Sequence, residues 1–172
     1  MNEQMQTSDP HIYAIGDCAL YNETIYGLVA PGYEMAEVAA SHITGLQKSF
    51  HGFDMSTKLK LIGVDVASFG DAFINEPDCK TIVLQDTNKH IYKRINISPD
   101  GKQLLGGILI GDAAAYNMLL QTVNNKLALP PDPEDMILGA RGASAGSATG
   151  VMSLPDDALI CSCESVTKGS IC

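Results

Sequence analysis

The chain has 172 residues, of which 45% are apolar, enough for a packed core in one domain or in one domain with appendages. Its net charge of −9 would repel nucleic-acid phosphates, and no basic stripe with interleaved aromatic residues offsets that charge. No apolar run is long enough to cross a membrane, and the first residues do not resemble a signal peptide. We therefore expect a cytoplasmic protein without nucleic-acid or membrane partners.

The N-terminal region predicts a short buried strand, a turn and a helix. Residues 11–15 form a compact apolar run that ends at Gly16, a pattern typical of a strand opening into a turn. Pro31 precedes a helix that is predicted over residues 32–44. The side chains at helical spacing on its buried face are Met35, Val38, Ala39 and His42.

Residues 57–130 predict a compact α+β unit, in which an antiparallel β-meander of four strands is covered by one helix. The strand patterns occupy residues 59–66, 81–85, 91–97 and 103–110, and turn sequences join the last three as hairpins. Within the last strand, Gly106-Gly107 predicts a bulge or a close backbone approach. The helix is predicted over residues 113–123, with Asp112 as its N-cap and Tyr116, Leu119, Leu120 and Val123 on its core face.

Residues 131–159 predict a linker, because prolines end the helix and the small residues at 139–150 are typical of a flexible tether. Beyond the linker lie Cys161, Cys163 and Cys172. The side chains of a Cys-x-Cys pair can reach one metal centre, and thiolates suit zinc or iron–sulfur clusters. The spacing leaves a cluster, a zinc site and unliganded thiols open, although structural zinc more often uses Cys-x₂-Cys.

Other thiol and carboxylate side chains predict no site. Cys18 and Cys79 are isolated in the sequence and are interpreted as small buried hydrophobic residues. Asp65, Asp71 and Asp112 are interpreted as turn or cap residues, and the histidines share no metal-ligand spacing. An odd number of cysteines without an export signal argues against a disulfide framework.

Gly16 and Asp17 indicate either an ordinary turn or a ligand position at the end of a strand. A glycine lets a ligand approach the backbone, and a carboxylate accepts hydrogen bonds from sugar or ribityl hydroxyls but repels phosphate. The sequence around them, T-S-D-P-H-I-Y-A-I-G-D-C, resembles the T-x-x-P-x-I-Y-A-x-G-D segment of two-dinucleotide-domain flavoprotein reductases. That resemblance implies that Asp17 lies against the ribityl chain of FAD, with Gly16 beside it.

Residues 28–36 resemble the segment of the same reductases that leads into a helix beneath the flavin. A helix N-terminus there would stabilise the negative charge that gathers on the reduced flavin. The further FAD-binding residues that this resemblance implies are Ala30, Pro31 and Gly32.

The terminal stretch I-C-S-C-E-S-V-T-K-G resembles the opening of a bacterioferritin-associated-ferredoxin-type (BFD-like) [2Fe–2S] domain. In that family a Cys-x-x-C pair later in the chain completes the cluster site. The resemblance therefore implies that Cys161 and Cys163 are half of a [2Fe–2S] site, and that Cys172 falls on a following helix away from the ligand positions.

Taken in order, these segments resemble the large subunit of NAD(P)H-dependent assimilatory nitrite reductase. In that family NAD(P)H reduces FAD, electrons pass through iron–sulfur clusters, and the sirohaem/[4Fe–4S] centre reduces nitrite to ammonium. The resemblance implies a C-terminal remnant of the FAD-binding α/β domain at residues 1–50, an interface domain at 57–130 and a truncated BFD-like tail at 160–172. It also implies two partners, the remainder of the reductase chain and the nitrite reductase small subunit.

Departures from the family's pattern bear on what the chain does alone. It contains neither the G-x-G-x-x-G loop that would hold the pyrophosphate of FAD or NAD(P)H nor the sirohaem cysteines. We therefore expect an inactive internal piece of an oxidoreductase that binds none of these cofactors at full occupancy. Exchange between chains, giving a homo-oligomer, is one way to cover the helix predicted at 32–44.

Two other interpretations stay open. The chain is a stand-alone adaptor in which the terminal thiolates hold zinc, or it is a fragment of a related FAD-dependent rubredoxin or ferredoxin reductase. The latter class often shares segments 7–40 but generally lacks the Cys-Ser-Cys tail.

Overall fold

A computed structural model describes residues 1–74, 77–138, 155–161 and 166–171, without the side chain of Cys161. The chain divides into two compact units, Met1–Met55 and Ser56–Cys172. None of the described helices is long and apolar enough to cross a membrane.

The first unit is built around one helix and a short hairpin. A 3₁₀ turn at Gly16–Cys18 leads into β1 (Leu20–Tyr21) and β2 (Thr24–Ile25), which pair as an antiparallel hairpin, and then into α1 (Val29–Ile43). Phe50 is fully buried at the centre and meets the rings of two tyrosines edge-on, each at 5.3 Å between centroids. The core residues are Met5, Ala19, Tyr21, Tyr26, Met35, Val38, Ala39 and Phe50.

Two predictions for this unit need correction. Residues 11–15 do not form a buried strand: only Tyr13 is paired, through an isolated bridge to Gln6, and Ile12 and Ile15 are exposed. A strand requires a neighbour along its length, and the described residues supply one for a single position. Helix α1 begins at Val29, three residues before the predicted start. Pro31 therefore lies in the first turn, where a backbone N–H has no acceptor within the helix and a proline is tolerated.

The second unit contains a five-stranded antiparallel sheet in the order β3-β4-β7-β6-β5. The strands are β3 (Thr57–Leu61), β4 (Val64–Gly70), β5 (Lys80–Asp86), β6 (Ile91–Ile97) and β7 (Leu104–Ile110). The prediction of a four-stranded meander was therefore wrong in two respects. The stretch expected as one strand at 59–66 is a hairpin, and β4 pairs with β7 rather than with β5.

The extra hairpin turns at Ile62-Gly63, where both residues have positive φ, 50° and 83°. This is the backbone that a two-residue hairpin turn between twisted strands demands, and Gly63 supplies it without strain. The prediction for the two adjacent glycines in β7 is confirmed. A Cβ on Gly106 would lie 2.5 Å from the Asp71 nitrogen, and one on Gly107 would lie 2.4 Å from the Arg94 oxygen.

Two helices follow the sheet, α2 (Tyr116–Asn124) and α3 (Asp135–Leu138). Asp112 is not the N-cap of α2. Its Oδ1 accepts a hydrogen bond from the Ala114 N–H, and α2 starts at Tyr116, two residues after Ala114. The core of the unit joins both helices to the sheet, and its buried residues are Ala67, Phe69, Ile95, Ile97, Leu104, Leu109, Ala113, Tyr116, Leu119 and Ile137. The segment 135–138, inside the range predicted as a linker, thus contributes Ile137 to this core.

The described part of the C-terminal region is a small hairpin. Strands β8 (Leu159–Cys161) and β9 (Val166–Thr167) pair antiparallel, and a 3₁₀ turn, Lys168–Ser170, follows. Cys163 and Cys172, and the small-residue run predicted as a tether, lie outside the described residues. Cys18 is exposed, contrary to expectation, whereas Cys79 is 3% exposed, as predicted.

Candidate functional site

The residues predicted to contact FAD come together at one place in the first unit. Gly16 has a φ of +69°, a left-handed conformation that favours glycine, and opens the 3₁₀ turn that contains Asp17. A Cβ on Gly32, in the first turn of α1, would lie 3.8 Å from the Gly16 Cα. The turn and the N-terminal end of the helix are therefore in direct contact through two residues without side chains.

Met35 fixes this contact. Its sulfur accepts a hydrogen bond from the Gly16 N–H at 3.3 Å, and its side chain is fully buried in the core of the first unit. The turn is also closed internally, since the Ala19 N–H donates to the Gly16 oxygen at 2.9 Å. A thioether on the second turn of α1 thus holds the glycine turn against the start of the same helix.

The junction offers a carboxylate and a helix N-terminus, which suit a ligand that has hydroxyl donors and a region of negative charge. Asp17 is exposed on the turn, so its carboxylate is open to donors from a ligand. The first turn of α1 carries no acidic residue, and its N-cap position is Leu28, which has no polar side-chain atom. The partial positive charge of the helix N-terminus is therefore not compensated from within that turn.

This geometry fits the part of FAD that the family resemblance assigns to it. A Cβ on Gly16 would meet nothing within 4 Å, so the space beside the turn is open. Ile15 and Tyr33, next to the two glycines in sequence, are 40% and 74% exposed, and Val29, the first residue of α1, is 74% exposed. An open, glycine-lined junction with one carboxylate and an apolar rim can take a ribityl chain beside an aromatic ring system. Ala30 is half-buried and Pro31 is buried, and their contact with FAD stays a prediction.

The predicted metal ligands belong to the second unit. Cys161 is the last residue of β8, and Cys163 lies outside the described residues. The base of the β8–β9 hairpin is closed by main-chain hydrogen bonds from Lys168 to Ala158 at 2.9 Å and from Gly169 to Asp156 at 2.7 Å. These bonds hold together the two ends of the hairpin on which Cys161 lies.

Sequence reasoning missed the roles of three residues. Met35 was expected only as a core residue, and Gln121 and Asn125 on the far end of α2 had no assigned role. The amide side chains of α2 hold the backbone of β8 by hydrogen bonds. No local pattern reveals this, because an Asn or Gln near the end of a helix has the same sequence context whether it meets water or a distant strand.

Comparison with known proteins finds similarity along the whole chain. Residues 56–127 match the family described as the rubredoxin NAD+ reductase C-terminal domain. The nitrite reductase (NADH) large subunit of Escherichia coli (strain K12) is 51% identical over 171 residues, covering 99% of this chain and 20% of that protein. The nitrite reductase [NAD(P)H] large subunit of Klebsiella oxytoca is 54% identical over 172 residues, covering 100% of this chain and 18% of that protein. Along nearly its whole length, the chain is similar to one segment of these nitrite reductase large subunits.

The chain spans about a fifth of the length of these curated relatives. Among solved structures, NADH:rubredoxin oxidoreductase from Clostridium acetobutylicum aligns with a TM-score of 0.58 and 25% identity, covering 80% of this chain and 35% of that chain. The mixed α/β architecture with antiparallel sheets is thus similar to the C-terminal domain of such reductases, which confirms the predicted fold class at that level. The BFD-like identity of the tail stays a prediction.

Proposed function

We propose that this chain is the part of an NAD(P)H-dependent nitrite reductase through which electrons leave the flavin for the iron–sulfur centres. The observation that carries the proposal is the identity of 51–54% to nitrite reductase large subunits along the whole chain. In the parent enzyme, NAD(P)H would be the electron donor, nitrite the acceptor and ammonium the product. The rest of the reductase chain would supply the pyrophosphate-binding loop and the sirohaem/[4Fe–4S] ligands.

In the first unit we assign the glycine junction to FAD. FAD, when bound, supplies the chemistry that converts hydride transfer from NAD(P)H into single-electron steps. Asp17 would accept a hydrogen bond from a ribityl hydroxyl, and the backbone of Gly16 and Gly32 leaves room for the ligand. The N-terminus of α1 would stabilise negative charge at the flavin ring because no acidic residue in its first turn opposes it.

In the second unit we assign two thiolates of a [2Fe–2S] site to Cys161 and Cys163. Thiolate ligands suit such a cluster, and Cys161 is the last residue of β8. The remaining ligands would come from the continuation of the parent chain. This chain's part is to hold one edge of the site, with the cluster supplying one-electron transfer when present.

The α+β unit would serve as an interface. Helix α2 covers one face of the sheet, and the cross-strand pairs Leu61–Val64 and Leu59–Val66 lie on the opposite face at the β3 edge. Leu59, Leu61 and Val64 are 48%, 58% and 44% exposed. An exposed apolar strip on an edge hairpin is the kind of surface that docks on another protein surface. The proposed partners are the remainder of the reductase chain, a second copy, or the nitrite reductase small subunit.

The FAD assignment is tested in the full-length reductase with Asp17→Asn. Asn keeps an oxygen acceptor but loses the charge that strengthens the hydrogen bond, which costs about 1–1.5 kcal/mol, so we expect roughly 5- to 10-fold weaker FAD binding. Glu23→Gln removes the same charge from an exposed turn of the same unit and serves as the control. The measurements are the flavin-to-protein ratio and NAD(P)H-dependent nitrite reduction. Equal flavin affinity in the two variants would remove Asp17 from the site.

A second candidate, electron delivery to a protein acceptor, is favoured by one observation. Residues 56–127 match the rubredoxin NAD+ reductase C-terminal domain, and the aligned solved structure is that of a rubredoxin oxidoreductase. The parent enzyme separates the two candidates: reduction of rubredoxin without reduction of nitrite would replace the first proposal by the second. A zinc content near one per chain, with no iron, would instead favour the adaptor with a thiolate zinc site.

A further inference from the structure

We propose that Gln121 and Asn125 form a receptor for strand β8, and that this receptor positions the Cys-x-Cys segment on the α+β unit. The docking of β8 is a property of the fold. Its role in presenting Cys161 and Cys163 to a metal rests on the proposed function. Neither residue belongs to the predicted flavin or metal ligands, so the inference adds positioning residues to the site.

Asn125 binds the backbone of β8. Its Oδ1 accepts a hydrogen bond from the Leu159 N–H at 2.8 Å, and its Nδ2 lies 3.4 Å from the Leu159 oxygen. The bond from the Leu159 N–H is the main contact, because the two hydrogens of Nδ2 have nearer acceptors on Gln121. Gln121 adds the next position, because its Nε2 donates to the Ile160 oxygen at 3.2 Å.

The two amides are themselves fixed. The Asn125 Nδ2 donates to the Gln121 main-chain oxygen at 3.0 Å and to the Gln121 Oε1 at 2.9 Å. The main-chain N–H of Asn125 also donates to the Gln121 oxygen, at 3.1 Å, which closes the C-terminal end of α2. These bonds to Gln121 hold the amide plane of Asn125 independently of β8. Docking of the strand therefore costs little further side-chain entropy.

The hairpin needs this receptor because it is small. An isolated two-stranded hairpin is marginal in water, and β8 and β9 comprise three and two residues. Ala158, just before β8, is 2% exposed, so the entry to the hairpin is buried as well as hydrogen-bonded. Its base is tied by the Lys168–Asp156 ion pair at 3.3 Å and by the Gly169 N–H to the Asp156 oxygen.

The consequence concerns the cysteine that follows. Cys161 comes directly after Ile160, whose oxygen Gln121 holds, so the last anchored peptide group is adjacent to the first predicted metal ligand. Ligand sites work when their supporting residues are held by packing and hydrogen bonds, and looseness in that support weakens them. The receptor on α2 thus fixes the backbone at Leu159 and Ile160, directly before the first predicted metal ligand.

The test uses Asn125→Ala in the 172-residue chain and follows amide hydrogen exchange, which needs no metal. We expect exchange of the Leu159 amide to accelerate at least tenfold, with the Ile95 amide in the sheet core unchanged. Asn125→Asp keeps the acceptor for the Leu159 N–H but loses both Nδ2 donors, so we expect an intermediate acceleration. Asn117→Ala, an exposed position on the same helix, is the matched control and should leave Leu159 exchange as in the parent chain.

Unchanged Leu159 exchange in Asn125→Ala, with Ile95 still protected, overturns the receptor. If that variant fails to fold, Gln121→Ala decides instead. It removes the hydrogen bond to the Ile160 oxygen and the one from the Asn125 Nδ2 to the Gln121 Oε1, which orients the Asn125 amide. Unchanged exchange at Leu159 in Gln121→Ala also overturns the proposal. The metal role is read separately, from iron content and the visible spectrum of the reconstituted full-length enzyme with and without Asn125→Ala. An Asn125→Ala enzyme with normal iron content but accelerated Leu159 exchange keeps the docking and removes its role in the metal site. Iron absent from the unsubstituted enzyme itself refutes the proposed function and leaves the docking intact.

Discussion

Removing the Asp112 carboxylate should destabilise the second unit more than removing the charge of its partner, Lys93. Lys93 lies in β6 and is 6% exposed; its Nζ donates to the Asp112 Oδ2 at 2.6 Å and to the Ile137 oxygen at 3.1 Å. In the sheet its neighbours are Leu84 and Leu109, so its aliphatic stem is surrounded by apolar strands. The ammonium depends on two acceptors for its place in the core.

Asp112→Ala leaves that ammonium buried with one acceptor. Breaking a fully buried pair on one side costs about 3–5 kcal/mol. The side chain of Asp112 is 39% exposed, however, so water can reach the vacated position, and we expect about 2–3 kcal/mol. Lys93→Met removes the charge together with its need for acceptors and keeps the volume, but it takes the donor from the Ile137 oxygen, so its expected cost is about 1–1.5 kcal/mol.

The assay is urea unfolding of the 172-residue chain, followed by amide signals in each unit, because two compact units need not unfold as one. With a denaturant dependence of about 1–3 kcal/mol per molar urea, Asp112→Ala should lower the midpoint at Ile95 by roughly 1–2 M. Val38, in the core of the first unit, is the internal reference. Equal losses in Asp112→Ala and Lys93→Met would refute the reasoning, because the cost would then come from the lost pair and not from an unpaired ammonium.

Two further predictions concern acid and the glycine pair of β7. The pKa of Asp112 is held below its ordinary value, chiefly by the hydrogen bond from Lys93 and next by that from the Ala114 N–H. Its contribution to stability is therefore complete above the unfolded pKa of about 4 and is lost as pH falls through the lower folded value. The urea midpoint at Ile95 should fall over that window, and less so in Asp112→Asn. Gly106→Ala would place a Cβ 2.5 Å from backbone and should cost about 1–3 kcal/mol, read at Ile95. Gly27→Ala, in the first unit and with nothing within 4 Å, should leave the midpoint at Val38 nearly unchanged. An unchanged midpoint at Ile95 in Gly106→Ala would contradict the close approach.

Local patterns predicted the elements whose partners are near in sequence or whose periodicity is strong. The strand at 91–97 was predicted with the bounds that the structure has, and the buried positions Met35, Val38 and Ala39 of α1 follow from helical spacing. The prediction of a buried strand at residues 11–15 was wrong because it relied on local composition alone. A short apolar run has the composition of a strand, but only pairing along its length makes it one, and a single bridge at Tyr13 does not.

The candidate flavin junction was predicted in its residues but not in its construction. The family resemblance named Gly16, Asp17 and Gly32, and the structure brings the two glycines into contact. That the Met35 sulfur secures the turn depends on where α1 packs, and helical periodicity shows only that this side chain faces inward. The exposure of Cys18, expected to be buried, has the same origin, since it follows from the direction of the 3₁₀ turn.

By itself, the sequence determined the types of element, the turns that join adjacent strands, and the close approach at Gly106-Gly107, because these depend on backbone freedom and side-chain period within a few residues. The tertiary structure alone decided that β4 lies beside β7, that Lys93 is buried against Asp112, and that Asn125 holds the strand before Cys161. Each of these joins residues far apart in the chain. Such contacts are selected by packing of the whole unit, and the amino acids that make them have no local signature.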